Sequence, residues 1–181
     1  KGLKVFNTPA ASSDSVAELV MAHMRSLVRF MHDSNRQMPL DGDTQFAALK
    51  KAYAKGVELR GRTLGIIGFG RIGQALAKLA IGAGMRVIFS EMHNDDVVVS
   101  LDFFDGQSAT FTCKNVGFEG VLAESHFISL HIPGGDLIGE TELAKMKDGV
   151  FLLNAARGGV INEVALLDAL ERGKVAGAGL D

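Results

Sequence analysis

Between residues 64 and 90 the apolar positions change period along the chain. Leu64 to Ile67 run unbroken, as in a strand buried on both faces. Ile72, Ala75, Leu76, Leu79, Ala80 and Ala83 then recur at the spacing of one helix face, and RVIFS at 86–90 is apolar and β-branched again. Strand, glycine-rich loop, helix and strand within one short stretch predict a βαβ unit with a right-handed crossover. The same rhythm returns after residue 118, with a short helix near 119–124 and strand HFISLHI at 126–132. A helix around 140–147, strand VFLLN at 150–154, a helix at 162–172 and strand VAGAGL at 175–180 follow. Such alternation, with apolar strands, predicts an α/β protein whose parallel sheet is covered on both faces.

The flanking stretches are less regular. LKVF at 3–6 predicts a short strand halted by the turn-rich NTPAASS. Ser15 and Glu18 form an S-x-x-E capping box for a helix reaching residue 31. Its predicted buried face holds Val16, Leu19, Val20, His23, Met24, Leu27, Phe30 and Met31, which makes His23 a packing residue. Residues 33–61 are more polar, with Pro39, DGD at 41–43 and a short helical pattern from Phe46 to Tyr53; they predict a connecting arm. Residues 95–112 alternate like strands around Asp105-Gly106 and predict a small β-hairpin insertion.

Composition removes several function classes. The net charge is −2 with no run of Lys or Arg, so no basic footprint for nucleic acid is present. No apolar run approaches a membrane span and the start is not a signal peptide, so a soluble, cytoplasmic protein is expected. Cys113 is the single cysteine, which precludes an internal disulfide or a thiolate zinc cluster and predicts a packing role.

The loop LGIIGFGRIG carries the candidate chemistry. Gly68, Gly70 and Gly73 satisfy G-x-G-x-x-G between a strand and a helix, the context in which that spacing holds a dinucleotide. Gly68 permits the tight turn, Gly70 lets backbone approach a pyrophosphate, and Gly73 lets the helix pack close to the sheet. Arg71 and Ile72 present N–H groups at the helix amino terminus, where anions are favoured. Glu91 ends the second strand 18 residues after Gly73, placed to accept from both hydroxyls of an adenosine ribose and to repel a 2′-phosphate. The pattern predicts a Rossmann-type doubly wound sheet that prefers NAD, with Arg86 and His93 leaving an NADP alternative open.

Further stretches are more specific. ELRGRTLGIIGFGRIGQALAKLAIGAGMRVI, SHFISLHIP, LLNAARGGVINEVALLDAL and GKVAGAGLD resemble the cofactor domain of the D-isomer-specific 2-hydroxyacid dehydrogenases. VFNTPAASSDSVAEL resembles the crossover from that family's substrate domain. The resemblance implies that Arg157 binds the substrate's carboxylate and carbonyl oxygen, a task suited to a guanidinium fork. It implies that Asp181 holds the nicotinamide carboxamide, that the backbone of Asn154, Ala155 and Ala156 lines the nicotinamide pocket, and that His131, Ile132 and Pro133 lie along the adenosine side. Between Pro133 and Leu137 the chain reads GGD, shorter than the family's usual loop. The family's proton relay, a Glu–His pair, lies beyond the GLD stretch, and no histidine here sits in its Pro-His-x-Gly setting.

Starting at Lys1 and stopping inside a strand-like run, the chain reads as a piece: residues 1–9 close a substrate domain and 10–181 form an NAD-binding domain. Expected partners are a small 2-hydroxy or 2-oxo acid and a second copy of the chain, since residues 15–60 resemble the region through which the family dimerises. Two other classes share the glycine loop: an S-adenosylmethionine methyltransferase, which leaves ARGG and AGAGLD without a purpose, and a non-catalytic module that reads NAD.

Overall fold

A computed structural model describes residues 2–4, 8, 11–92 and 95–181. In chain order its elements are α1 (Ser13–Val28), α2 (Met31–Tyr53), β1 (Thr63–Ile67), α3 (Arg71–Gly82), β2 (Arg86–Ser90), β3 (Val97–Asp102) and β4 (Ser108–Asn115). They continue as α4 (Gly117–Glu124), β5 (Phe127–Leu130), α5 (Glu140–Lys145), β6 (Val150–Asn154), α6 (Glu163–Glu171) and β7 (Val175–Leu180).

Among the described residues the strands form one sheet in the order β3-β4-β2-β1-β5-β6-β7. All neighbours are parallel except β3 and β4. Alternate residues of the central strands serve opposite cores. Leu64, Ile66, Phe127 and Leu153 pack with Ala17, Val20 and Met24 of α1 and Leu76, Ala77 and Ala80 of α3. Ile67, Ile128, Leu130 and Leu152 face Val121 and Leu122 of α4, Leu143 of α5 and Leu166 of α6. The doubly wound sheet is the one the apolar rhythm predicts.

The hairpin is more than an insertion. Asp105-Gly106 makes the turn, Gly106 taking φ +82°. β4 then joins β2 through Ile88↔Lys114 and Phe89↔Asn115, so an antiparallel strand brings the chain back where a doubly wound sheet ordinarily uses a helix. Buried Val99 and Cys113 share the core of α1 and α3, and burial pushes the Cys113 thiol pKa up, the inert packing cysteine expected.

The amino-terminal expectations need correction. α1 starts at Ser13 with Ser12 as cap, which leaves Ser15 inside the helix and no side-chain cap bond. The buried face is Ala17, Val20, Met21, Met24 and Val28, while Leu19 and Met31 are exposed and His23 is half-buried. The arm is helical from Met31 despite Pro39, with non-helical angles at Gln45. Tyr53 Oη donates to Gln37 Oε1 at 2.6 Å, although a straight helix separates residues that far apart in sequence by ~24 Å. The arm therefore doubles back at Gln45. Val5 and Phe6 of the predicted first strand lie outside the described residues, and Leu3 is exposed.

Candidate functional site

Sheet register, more than any single motif, assembles the site. Ile67 pairs with Ser90 and with Leu130, Leu130 with Asn154, and Asn154 with Leu180. The next residue of each strand, Gly68, Glu91, His131, Ala155 and Asp181, therefore stands in one row at the carboxyl edge, where doubly wound sheets bind ligands.

The three glycines are required for different reasons. Gly68 takes φ +91°, and a Cβ there would lie 2.6 Å from the His131 carbonyl oxygen. A Cβ on Gly73 would lie 2.5 Å from Gly68 O, so its absence lets α3 close onto the strand end. Gly70, the cap of α3, has nothing within 4 Å of its Cβ position. Its open side faces space, the requirement for a phosphate group to approach backbone. Arg71, Ile72 and Gly73 occupy the first turn of α3, whose N–H groups lack intrahelical acceptors.

Glu91 already holds the loop: Oε2 accepts from Phe69 N at 2.9 Å and Oε1 from Met92 N at 3.0 Å. Each carboxylate oxygen retains a lone pair for a ribose hydroxyl. Gln74 Nε2 donates to Phe69 O at 3.1 Å, and the Phe69 ring stacks on Phe89 at 3.9 Å, pinning the turn from below. Glu91 borders a cleft of about 480 Å³ with Gly68, Gly70, Met92, Phe118 and Leu137. His131, Ile132 and Pro133 line the same cleft, so the shortened GGD loop leaves them at its wall. Phe118 and Leu137 are lining residues that no sequence motif marks; the fold brings them there.

Arg86, which favoured the NADP alternative, lies at the other end of β2 and pairs with Glu124 at 2.9 Å. Five residues of strand place it ~13–16 Å from the Glu91 end. His93 lies outside the described residues.

His131 Nε2 meets Ser129 Oγ at 2.9 Å, while Nδ1 is buried without a partner among the described residues. Burial lowers its pKa to about 4, so the ring is neutral at pH 7. On β6, Asn154 shapes the following turn: Nδ2 donates to Arg157 O at 2.8 Å and Oδ1 accepts from Ala156 N at 3.1 Å. Arg157 is exposed, its Nη1 donating to Ala156 O at 2.7 Å, and no carboxylate pairs with it among the described residues. Asp181 N donates to Asn154 O at 3.0 Å, fixing the last residue beside that turn. No helix of the described residues is long and apolar enough to cross a membrane, and no cluster of metal-ligating side chains appears among them.

A family profile described as "D-isomer specific 2-hydroxyacid dehydrogenase, NAD binding domain" matches residues 21–181. The chain is 40% identical over 185 residues to a hydroxypyruvate reductase of Thermotoga maritima, covering 100% of this chain and 55% of that protein. It is 37% identical over 186 residues to D-3-phosphoglycerate dehydrogenase 1 of Saccharomyces cerevisiae, covering 100% of this chain and 36% of that one. The chain thus spans about half the length, or less, of these relatives. The NAD-complexed D-isomer specific 2-hydroxyacid dehydrogenase from Lactobacillus delbrueckii ssp. bulgaricus superposes with a TM-score of 0.78 at 31% identity, over 99% of this chain and 51% of that one.

Proposed function

The chain belongs to the D-isomer specific 2-hydroxyacid dehydrogenases, as their NAD binding domain, and from that premise we propose that the protein interconverts a D-2-hydroxy acid and its 2-oxo acid. The observation that carries the reading is Arg157, an exposed guanidinium paired with no carboxylate among the described residues, just beyond the strand that ends in the glycine-loop row. Its planar fork grips the substrate carboxylate and directs an N–H at the 2-oxo group, where charge develops as the carbonyl is reduced.

Bound NAD supplies the hydride acceptor, or as NADH the donor. The residues assigned to it are Gly68, Gly70, Arg71, Ile72 and Gly73 at the diphosphate, Glu91 at the ribose, and His131, Ile132 and Pro133 along the adenosine side. The backbone of Asn154, Ala155 and Ala156 takes the nicotinamide side with Asp181, whose carboxylate accepts from the carboxamide. Proton transfer falls to the Glu–His pair that the family resemblance places after GLD. His131 is unsuited to it: with its pKa lowered to about 4 it is a weak base and is almost never protonated at pH 7, and its Nε2 is engaged by Ser129.

Residues 1–9 are assigned to the end of a substrate domain and 10–181 to the cofactor domain. The arm is assigned to a homodimer interface: α2 buries none of its side chains, leaving Met31, Leu40 and Phe46 exposed. Overall sequence similarity to D-3-phosphoglycerate dehydrogenases points to 3-phosphoglycerate as substrate, oxidised to 3-phosphohydroxypyruvate in serine synthesis. The greater identity to a hydroxypyruvate reductase, 40% against 37%, favours a second reading, reduction of hydroxypyruvate or glyoxylate.

The test is NADH-dependent reduction of 3-phosphohydroxypyruvate, hydroxypyruvate, glyoxylate and pyruvate by the full-length protein and its Arg157→Met variant. One of the four is expected to dominate, with kcat/KM falling about a hundredfold or more in the variant. Retention of activity by Arg157→Met contradicts the assignment.

A further inference from the structure

Beside the glycine loop two buried polar atoms, Ser13 Oγ and His131 Nδ1, have no partner among the described residues. Both residues line one cavity of about 140 Å³ whose remaining walls are Gly70, Arg71, Ile72 and Gly73. Ser13 is only 8% exposed, so bulk water does not serve its hydroxyl. It is the first residue of α1, and packing of α1 against α3 brings the amino termini of both helices to this cavity.

The walls carry donors. Ser129 is fully buried, and His131 Nε2 is its hydroxyl's sole recorded partner among the described residues. Both groups are satisfied when the Ser129 hydroxyl donates to Nε2, which leaves the neutral ring's proton on Nδ1, the ring atom without a partner among the described residues. The N–H groups of Arg71, Ile72 and Gly73 lack intrahelical acceptors, and no carboxylate lines the space. Converging donors without an acid form a site for anionic oxygen.

We propose that Ser13 and His131, the latter standing between this cavity and the adenosine-side cleft that it also lines, complete the diphosphate site, donating from Oγ–H and Nδ1–H to oxygens of the cofactor's diphosphate opposite the first turn of α3. The dinucleotide is then held by α1 and by the end of β5 as well as by the glycine loop. This rests on the assignment of that loop to NAD, and it binds the start of α1 to the occupancy of the site.

The test titrates the full-length protein and its Ser13→Ala variant with NADH, with ADP-ribose, which has the diphosphate but no nicotinamide, and with adenosine, which has neither. A hydrogen bond to a charged group predicts that Ser13→Ala weakens NADH and ADP-ribose by the same factor, about tenfold to a hundredfold, and leaves adenosine unchanged. The melting temperature of the unliganded variant should hold or rise, because the substitution removes an unpaired buried hydroxyl. Equal NADH affinity in both proteins means that only water fills the cavity and overturns the proposal while the NAD assignment stands. A lowered melting temperature with equal losses for all three ligands makes Ser13 structural and overturns it too. Failure of the folded wild type to bind NADH removes the NAD assignment and the proposal together.

Discussion

Alanine at Gly68, Gly70 and Gly73 should separate three physical roles that one motif combines. At Gly68 the backbone stands at φ +91° and the new Cβ would lie 2.6 Å from the His131 carbonyl oxygen and 2.8 Å from its carbon. The left-handed conformation costs ~1–2 kcal/mol for a residue with a side chain. Forcing a methyl against backbone that cannot turn away costs ~1–3 kcal/mol. The sum of about 2–5 kcal/mol lowers the melting temperature by roughly 5–20 °C, at ~2–4 °C per kcal/mol for a chain of this size. Gly73→Ala has only the second cost, from the 2.5 Å approach to Gly68 O, and should melt at an intermediate temperature. Gly70→Ala meets nothing within 4 Å, and its cost at the helix cap is about 1 kcal/mol or less. Its methyl stands where the proposed diphosphate approaches, so it should fold near normally and bind NADH at least ~10-fold more weakly. Circular dichroism melts paired with NADH titration read both quantities. A Gly68→Ala protein melting within a degree or two of wild type would refute the steric reasoning, as would a Gly70→Ala protein that binds NADH undiminished.

Two further outcomes follow from the site. Asn154→Ala removes both bonds that shape the arginine turn; kcat/KM for the 2-oxo acid should fall ~10-fold or more with little change in NADH affinity, and matched losses in both would contradict the positioning role. Burial holds His131 near pKa 4 in the fold against an ordinary 6.5. Above pH 6.5 the ring is neutral in both states and contributes no pH dependence; from 6.5 down to 4 the unfolded chain takes up the proton, so stability drops by about 1 kcal/mol per pH unit. Urea midpoints at pH 7 and pH 5 should therefore converge in His131→Asn relative to wild type, and parallel curves for the two proteins would sink the argument.

The glycine loop and Glu91 were legible because their requirements are local: a turn with positive φ, a close helix approach, a carboxylate at a strand end. Arg157 is not legible from its neighbours, since an arginine before two glycines reads more often as a surface turn residue; the resemblance and its place at the sheet edge give it meaning. The phase of α1 is not legible in the sequence because apolar residues lie nearly all around VAELVMAHMRSLV, and only packing against α3, β6 and β7 selects Ala17, Val20 and Met24 over Leu19. Pro39 and DGD are breakers by local rule, yet α2 tolerates them as an exposed helix bent at Gln45. Ser13 carried no signal at all, because its neighbours across the cavity lie more than fifty residues away in sequence.

Whether Glu91 and the glycine loop hold NAD is decided by calorimetric titration of the protein with NADH and NADPH, for wild type and Glu91→Ala. Tight NADH binding, weak NADPH binding, and an NADH affinity reduced by about tenfold to a hundredfold in the variant, which loses a charged acceptor, are the expected results. A folded wild type that binds neither dinucleotide, or that prefers NADPH, would contradict the NAD assignment.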